Sequence, residues 1–129
     1  AFAIERYSHV MHIVSNVEGL LKEGATNLDV FRATFPAGTL SGAPKIRAMQ
    51  IIDELEPSKR GVYSGAVGYF APGGDFDFNV VIRSVLYNAA DRYASVQVGG
   101  AIVFDSEAEK EYEECLIKAE AMIRALGGP

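Results

Sequence analysis

Phe35-Pro36-Ala37-Gly38-Thr39-Leu40-Ser41-Gly42-Ala43-Pro44-Lys45 is the stretch that decides the fold, a glycine- and proline-rich run that leads into an amphipathic segment. Pro44 fits the first turn of a helix, where a missing N–H leaves no hydrogen bond unmade, and Ser41 or Gly42 would cap that helix. Gly38 and Gly42 permit positive φ angles and let a ligand approach the backbone. The run therefore predicts a polar loop at a helix N-terminus, which is either an anion site or, more often, an ordinary loop–helix junction.

The composition is that of a globular, acidic chain. It has 129 residues, 49% of them hydrophobic, and a formal net charge of −5, which argues against nucleic acid as a partner. Cys115 is the only cysteine, so no internal disulfide can form, and we predict a reducing cytoplasm. No apolar run reaches membrane-spanning length, and no signal peptide is visible. The sequence opens on Ala1 rather than Met, followed at once by strand-like sequence, which indicates a fragment.

Hydrophobic periodicity predicts a mixture of strands and helices. Alternating β-formers predict a strand near the start, and the same period-two pattern returns after Gly61 in three segments separated by turn sequences. The predicted strands are 3–17, 61–70, 76–87 and 93–104, and the predicted helices are 28–35 (capped by Asn27), 43–55 and 106–126. We therefore predict an α+β fold in which an antiparallel sheet packs against the two longer helices.

The last predicted helix carries the clearest charge pattern. Ser106 and Glu109 predict a capping box at its start. An apolar stripe faces the core, and a second, charged stripe runs beside it at helical spacing. Paired carboxylates on such a stripe suit Mg²⁺, although an acidic helix start with an i,i+4 Glu–Lys pair is the commoner explanation. The apolar stripe comprises Tyr112, Cys115, Leu116, Ala119, Ile123 and Leu126, and the charged stripe Glu107, Glu111, Glu114 and Lys118.

Several strand residues have both a structural and a functional interpretation. Arg83 stands mid-strand among apolar residues, so it either faces solvent or binds a carboxylate. Tyr63 is either a cross-strand aromatic, the commoner use, or a substrate contact, and a lone histidine such as His12 is more often structural than catalytic. Gly99 and Gly100 predict a bulge or a close approach of the backbone. The residues alone leave these alternatives open.

Five sequence motifs occur in this chain in the same order as in one known enzyme family, which makes the resemblance specific. Together they cover nearly the whole chain, and they resemble the C-terminal portion of the chorismate-utilising enzymes, most of all anthranilate synthase component I. The resemblance implies that residues 1–129 are a C-terminal fragment of the catalytic domain, with the chorismate-binding enzyme fold. The motifs are Glu5-Arg6-Tyr7-Ser8-His9-Val10-Met11-His12, the opening stretch continued through Ile46-Arg47-Ala48-Met49-Gln50-Ile51-Ile52, Arg60-Gly61-Val62-Tyr63-Ser64-Gly65-Ala66-Val67-Gly68-Tyr69-Phe70, Val81-Ile82-Arg83-Ser84, and Asp105-Ser106 through Lys118.

The resemblance also implies the roles of individual residues. Glu114 would bind Mg²⁺, and Glu111 beside it is both a metal-binding and a catalytic candidate. His12 would be catalytic, close to the departing enolpyruvyl group. The substrate-binding candidates are Lys118 and Arg83 on carboxylates, Tyr63 through its hydroxyl, Thr39 near the ring, and Gly99 through backbone N–H groups. The family's other metal-binding glutamate, besides the one that matches Glu114, lies upstream of the matched portion, and no residue of this sequence replaces it. Gly99-Gly100-Ala101 departs from the usual Gly-Ala-Gly.

The activity implied by the resemblance is the Mg²⁺-dependent conversion of chorismate and ammonia to anthranilate and pyruvate in tryptophan biosynthesis. Ammonia would come from a glutamine amidotransferase, and we expect the isolated fragment to be inactive without the remainder of its own catalytic domain. The alternative is aminodeoxychorismate synthase component I, whose loop commonly reads Gly-Ser-Ile-Thr-Gly where this chain has Gly38-Thr39-Leu40-Ser41-Gly42. A non-catalytic docking module is the alternative from another class, and it would lack the charged site residues.

Overall fold

The computed structural model describes residues 2–8 and 11–128. It contains helices and antiparallel strand pairs, so the predicted α+β class is confirmed. His9 and Val10, in the middle of the predicted first strand, lie outside the described residues. The elements are β1 (Ala3–Arg6), β2 (Met11–Val14), α1 (Asn27–Thr34), α2 (Gly38–Ser41), α3 (Lys45–Leu55), β3 (Ala66–Phe70), β4 (Phe76–Val80), β5 (Val85–Asn88), β6 (Tyr93–Val96) and α4 (Ala108–Ala125).

The strands of the described residues form three separate two-stranded antiparallel sheets rather than the predicted meander. They pair as β1 with β2, β3 with β4, and β5 with β6. The predicted strand 3–17 is thus a hairpin, and the predicted strand 76–87 divides at 81–84. Arg83 causes this division because its φ of 50° lies in the left-handed region, which interrupts a ladder. The strand predicted over 93–104 ends at Val96, before the two glycines.

The first helix packs on the second hairpin. Thr26, not the predicted Asn27, caps α1, because its Oγ1 accepts a hydrogen bond from the backbone N–H of Asp29 at 3.2 Å. The ring centroid of Phe31 lies 4.7 Å from that of Phe78 on β4. The side-chain amide of Asn27 donates to the carbonyl of Gly74 in the β3–β4 turn. These contacts hold α1 and the β3–β4 hairpin together as one unit. Helix α1 is followed directly by residues 35–45, the opening stretch of the sequence analysis.

The opening stretch holds an additional helical turn that the sequence did not predict. Ser41 and Gly42 do not cap the following helix; Ser41 ends α2, and Gly42 follows it with a φ of 98° and donates its N–H to the carbonyl of Gly38 at 2.7 Å. Pro44 is the N-cap of α3 and lies outside the first turn. The positive φ of Gly42 is what separates the two helices, since other residues rarely adopt it.

The last helix begins two residues later than predicted, and the expected capping box does not form. Glu107 is the N-cap of α4 and makes no side-chain cap hydrogen bond. The hydroxyl of Ser106 is used elsewhere, because it donates to Glu111 at 2.6 Å and accepts from the N–H of Val103 at 3.0 Å. Of the predicted apolar stripe, Ala119 is buried, and Met122, which the stripe omitted, is buried with it.

The chain exposes far more surface than a compact protein of its size, and many large hydrophobic side chains contribute to that surface. Its accessible surface is 10878 Å², whereas a compact protein of 13.9 kDa exposes about 6,700 Å². Val81, Ala119 and Met122 are the buried hydrophobic residues of the described part, while Leu20 and Phe104 are fully exposed. The strand pairs and helices therefore present apolar faces that another surface has to cover. No helix in the described residues is long and apolar enough to cross a membrane.

Replacing Gly68 on β3 with alanine is expected to destabilise the fold by about 3 kcal/mol, because a Cβ there overpacks the hairpin. The added atom would lie 2.1 Å from the carbonyl oxygen of Asp77 on β4, which is backbone and cannot move aside. Gly73→Ala in the adjoining turn is the matched control, since its Cβ would meet nothing within 4 Å. Urea unfolding followed by circular dichroism measures both variants, and equal midpoints for the two would contradict the expectation.

Candidate functional site

Two adjoining cavities lie between the opening stretch, the segment after β6 and helix α4. The larger has a volume of about 480 Å³ and the smaller of about 150 Å³. Leu40, Tyr63, Gly99 and Lys118 line both. Thr39 lines the larger cavity and Arg83 the smaller. The structure thus brings together the five predicted substrate-binding residues, although they come from five separate segments of the chain.

Arg83 reaches the smaller cavity from a turn and not from the middle of a strand, as the sequence predicted. Its Nη1 donates to Nε2 of His12 at 2.7 Å, a contact that joins β2 to the cavity. A guanidinium has only donors, so Nε2 of His12 is the acceptor in this pair. The two side chains that we predicted as a carboxylate ligand and a catalytic residue therefore lie in direct contact, and Arg83 is otherwise exposed.

Lys118 places its ammonium at the wall that the two cavities share. Its Nζ donates to the carbonyl of Gly99 at 3.2 Å and forms an ion pair with Glu114, one turn earlier on α4. The side chain is 34% exposed, against 50% for Glu114. The i,i+4 pair expected from the sequence therefore exists, and it holds the lysine at the cavity wall instead of directing it into solvent.

The two carboxylate oxygens of Glu111 have different surroundings. Its Oε1 accepts the hydrogen bond from Ser106, while its Oε2 is buried and has no hydrogen-bond partner in the described part of the chain. An unpartnered buried carboxylate oxygen is costly, because desolvation strongly disfavours an uncompensated charge. A divalent cation would compensate it, and oxygen ligands are what Mg²⁺ prefers. The described residues contain no group of three or more His, Cys, Asp or Glu side chains placed to hold a metal, so they supply part of such a site at most.

The two glycines of the predicted last strand confirm the expected close approach of the backbone. A Cβ on Gly99 would lie 2.9 Å from the hydroxyl oxygen of Tyr63, and a Cβ on Gly100 would lie 3.1 Å from Oε2 of Glu111. The backbone after β6 therefore passes closely over two of the predicted site residues. Only glycine leaves these side chains where the structure has them.

Replacing Gly99 with alanine is expected to raise the substrate KM about tenfold, because the Tyr63 hydroxyl has to move by several tenths of an ångström. The phenol oxygen is the end of a side chain, so it can give way without unfolding the protein. Thermal unfolding checks that the fold is unchanged, and steady-state kinetics of a complete enzyme that contains this segment measure KM. An unchanged KM would mean that the Tyr63 hydroxyl does not contact substrate.

Sequence reasoning missed two contributors to this site. Ser106 was assigned to a helix cap, yet its hydroxyl orients Glu111. Its distance of five residues from Glu111 matches no standard capping pattern, so the sequence held no signal for this contact. Gln97, also missed, lines both cavities just before Gly99. Its position two residues from a predicted glycine contact, on the same strand face, is the pattern that could have found it.

Comparison with known proteins shows which family this sequence matches. Residues 1–124 match the family of chorismate binding enzymes. Among similar proteins, anthranilate synthase component 1 of Pseudomonas putida is 61% identical over 123 residues, and that of Aquifex aeolicus is 58% identical over 123 residues. Each alignment covers 95% of this chain but 24% of the relative, so the chain spans about a quarter of the length of these relatives. By sequence, the chain belongs to the chorismate binding enzyme family.

Proposed function

We propose that this chain forms part of the catalytic domain of an anthranilate synthase component I, a lyase that converts chorismate and ammonia to anthranilate and pyruvate in the cytoplasm for tryptophan biosynthesis. The main support is the 61% identity to a relative of that name over 95% of the chain. The clustering of the five predicted substrate-binding residues around two adjoining cavities agrees with it.

Arg83 and Lys118 would bind the two carboxylates of chorismate. In the structure each cation has a weaker partner that a carboxylate could replace, His12 for Arg83 and the Gly99 carbonyl for Lys118. A charge-assisted bond from a guanidinium to a carboxylate is stronger than one to a neutral acceptor. Two cations fixed at one cavity would hold a dianionic substrate in a single orientation.

Thr39, Tyr63 and His12 would make further contacts with the substrate. Thr39 and Tyr63 line the larger cavity, where Thr39 would approach the ring and the hydroxyl of Tyr63 would help to position the dianionic substrate. Nε2 of His12, an acceptor in the contact with Arg83, becomes free once Arg83 turns to a carboxylate. His12 would then orient the enolpyruvyl group or transfer a proton as that group leaves.

Glu111, through its free Oε2, and Glu114 would hold Mg²⁺ together with ligands from elsewhere in the protein. The cation would supply Lewis-acid chemistry, polarising the departing ring hydroxyl. Ser106 would keep Oε1 of Glu111 occupied, so that Oε2 alone faces the site. Glu114 would exchange its ion pair with Lys118 for the metal, which would free the lysine for the substrate.

Two protein surfaces would complete the enzyme. The exposed apolar faces of the hairpins and of α4 fit the remainder of the same catalytic domain, because the relatives are about four times longer and the accessible surface is 10878 Å². A glutamine amidotransferase subunit or domain would deliver the ammonia. The isolated chain would then lack both part of its metal site and the cover of its apolar faces, and we expect it to be inactive.

A chimera tests this proposal. The 123 matching residues of the Pseudomonas putida relative are replaced by those of this chain, and the chimera is incubated with chorismate, Mg²⁺ and ammonium. Anthranilate, identified by mass, is the expected product. Aminodeoxychorismate would move the chain to the alternative enzyme, isochorismate or salicylate would make water the nucleophile, and a folded chimera without turnover would favour a docking module.

A further inference from the structure

Arg60 connects three segments that surround the larger cavity. It follows α3, and its Nη1 donates to the carbonyl oxygen of Leu40 at 2.9 Å and to the hydroxyl of Ser64 at 3.2 Å. Leu40 lies in α2, a helix of four residues whose last carbonyls have no partner within so short a helix. One guanidinium nitrogen thus joins α2 to the turn that carries Tyr63 and Ser64.

Glu56 fixes the orientation of this guanidinium. Its carboxylate accepts a hydrogen bond from Nε of Arg60 at 2.9 Å and another from Nη2 at 2.5 Å, so the two side chains form a bidentate ion pair. The Arg60 side chain is only 23% exposed and that of Glu56 36%. The hydrogen bond from Arg60 lowers the pKa of the Glu56 carboxyl. The stabilisation by this pair is therefore present above the unfolded pKa of Glu56 and is lost as the pH falls through the folded value.

The turn beyond Arg60 needs support. Ser64 has a φ of 68°, a left-handed conformation that is strained for a residue with a Cβ. Its hydroxyl accepts from Arg60 and its N–H donates to the carbonyl of Val81 at 3.0 Å. Because Tyr63 directly precedes this residue, the conformation of Ser64 sets how Tyr63 is oriented relative to the chain that continues into β3.

Arg60 also forms part of the wall of the cavity. Together with Leu40 and Tyr63 it lines the 480 Å³ cavity, and with Tyr63 it lines a separate apolar cavity of 450 Å³ on the side of α3. Its guanidinium carbon lies 6.0 Å from the centroid of the Tyr63 ring, the outer limit of a cation–π contact. Among the hydrogen bonds of the described residues, only those of Arg60 join α2 to the turn that carries Tyr63 and Ser64.

We propose that Arg60 is a positioning residue that holds Thr39 and Leu40 on α2 and Tyr63 on the following turn at one fixed spacing across the substrate cavity. This inference rests on the proposed function, because the spacing matters only if the cavity binds chorismate. Arg60 acts through the Leu40 carbonyl and the Ser64 hydroxyl, each of which accepts a hydrogen bond from its Nη1.

Arg60→Lys in the chimera tests the proposal. The lysine ammonium keeps the positive charge and the ion pair with Glu56. It lacks the planar set of donors with which a guanidinium binds Glu56, the Leu40 carbonyl and the Ser64 hydroxyl at the same time. We expect the KM for chorismate to rise about tenfold while kcat changes less than about threefold. The reason is that the cavity walls contact the substrate and the transition state equally, so weaker contacts raise KM without lowering kcat. Hydrogen exchange of residues 37–42 is expected to become about tenfold faster, since α2 loses its tie to the turn.

Arg124→Lys is the matched control. Arg124 also pairs with a glutamate four residues earlier, Glu120, but on the exposed face near the end of α4. Its replacement should change neither KM nor the exchange of residues 37–42. An unchanged KM and unchanged exchange in Arg60→Lys would overturn the proposal. Faster exchange spread over the whole chain, with a lower thermal midpoint, would also overturn it, since it would show a general structural role.

Different results would refute the proposed function and the positioning role of Arg60. A chimera with native Arg60 that forms no anthranilate refutes the proposed function. The exchange of residues 37–42 in Arg60→Lys against Arg124→Lys then still decides whether Arg60 fixes α2, because this measurement needs no substrate.

Discussion

Glu111→Gln in the chimera is expected to lower kcat/KM for chorismate by about 100- to 1,000-fold, the range for removing one charged group from a preorganised site. Glutamine has the same shape and can still accept the hydrogen bond from Ser106 through its amide oxygen. The change therefore removes the charge on the buried, unpartnered Oε2 and little else. Activity measured against Mg²⁺ concentration should show that more of the cation is needed for half-maximal rate.

The same substitution is expected to leave the thermal midpoint unchanged or to raise it. Without a cation, a buried carboxylate oxygen lacking a partner destabilises the folded state more than a neutral amide does. Loss of activity with retained or increased stability is the mark of a residue placed for function. Glu113→Gln, on the exposed side of the same helix, is the control and should alter neither quantity. A Glu111→Gln chimera with normal Mg²⁺ dependence would rule out Glu111 as a metal ligand.

Arg83→Ala is expected to lower kcat/KM by about 100-fold, because a hydrogen bond to a charged group contributes up to about 3 kcal/mol. The expected loss comes from the substrate carboxylate left without its guanidinium partner. The variant also frees Nε2 of His12, which Arg83 contacts at 2.7 Å. Arg83→Lys should be more active than Arg83→Ala but less active than the native sequence, since an ammonium cannot form a bidentate contact with the substrate carboxylate.

Arg92→Ala is the matched control for this substitution. Both arginines are exposed and both have a φ of 50°, so each replacement carries the same backbone strain. Arg92 lies between β5 and β6 and lines neither of the two site cavities. Steady-state kinetics of the two variants therefore separate the guanidinium from the backbone. Equal activities in Arg83→Ala and Arg92→Ala would exclude a role for Arg83 in substrate binding.

The sequence predicted the elements well where local chemistry decides them. The helix ending at Leu55 ends there because Glu56 precedes a proline. The turn between Phe70 and Phe76 is rich in proline and glycine, and in the structure it connects the two strands of one hairpin, β3 and β4. The i,i+4 pair of Glu114 and Lys118 is also present. These features depend on neighbours a few residues apart, so one sequence contains all of the information.

Prediction from sequence failed where the path of the backbone between elements decides which groups meet. Ser106 matches a capping box, yet its hydroxyl bonds to Glu111, because the turn at Val103 presents it there. Arg83 fits a strand by its neighbours, but the backbone turns at this residue and the strand divides. The contact of Arg83 with His12 spans 71 positions in the sequence. No periodic pattern records a contact between segments so far apart.

The separation of the strands into three hairpins has a consequence for folding kinetics. Each strand pairs with its sequence neighbour, so the loop that each pair closes is short and little chain entropy is lost. Such local pairings form within microseconds, but a two-stranded hairpin alone is only marginally stable in water. Secondary structure should therefore form quickly and reversibly, and the slow step should be the docking of these preformed pieces onto the surface that covers them. The folding rate of the whole domain would then depend on the strength of that docking and little on the hairpin turns.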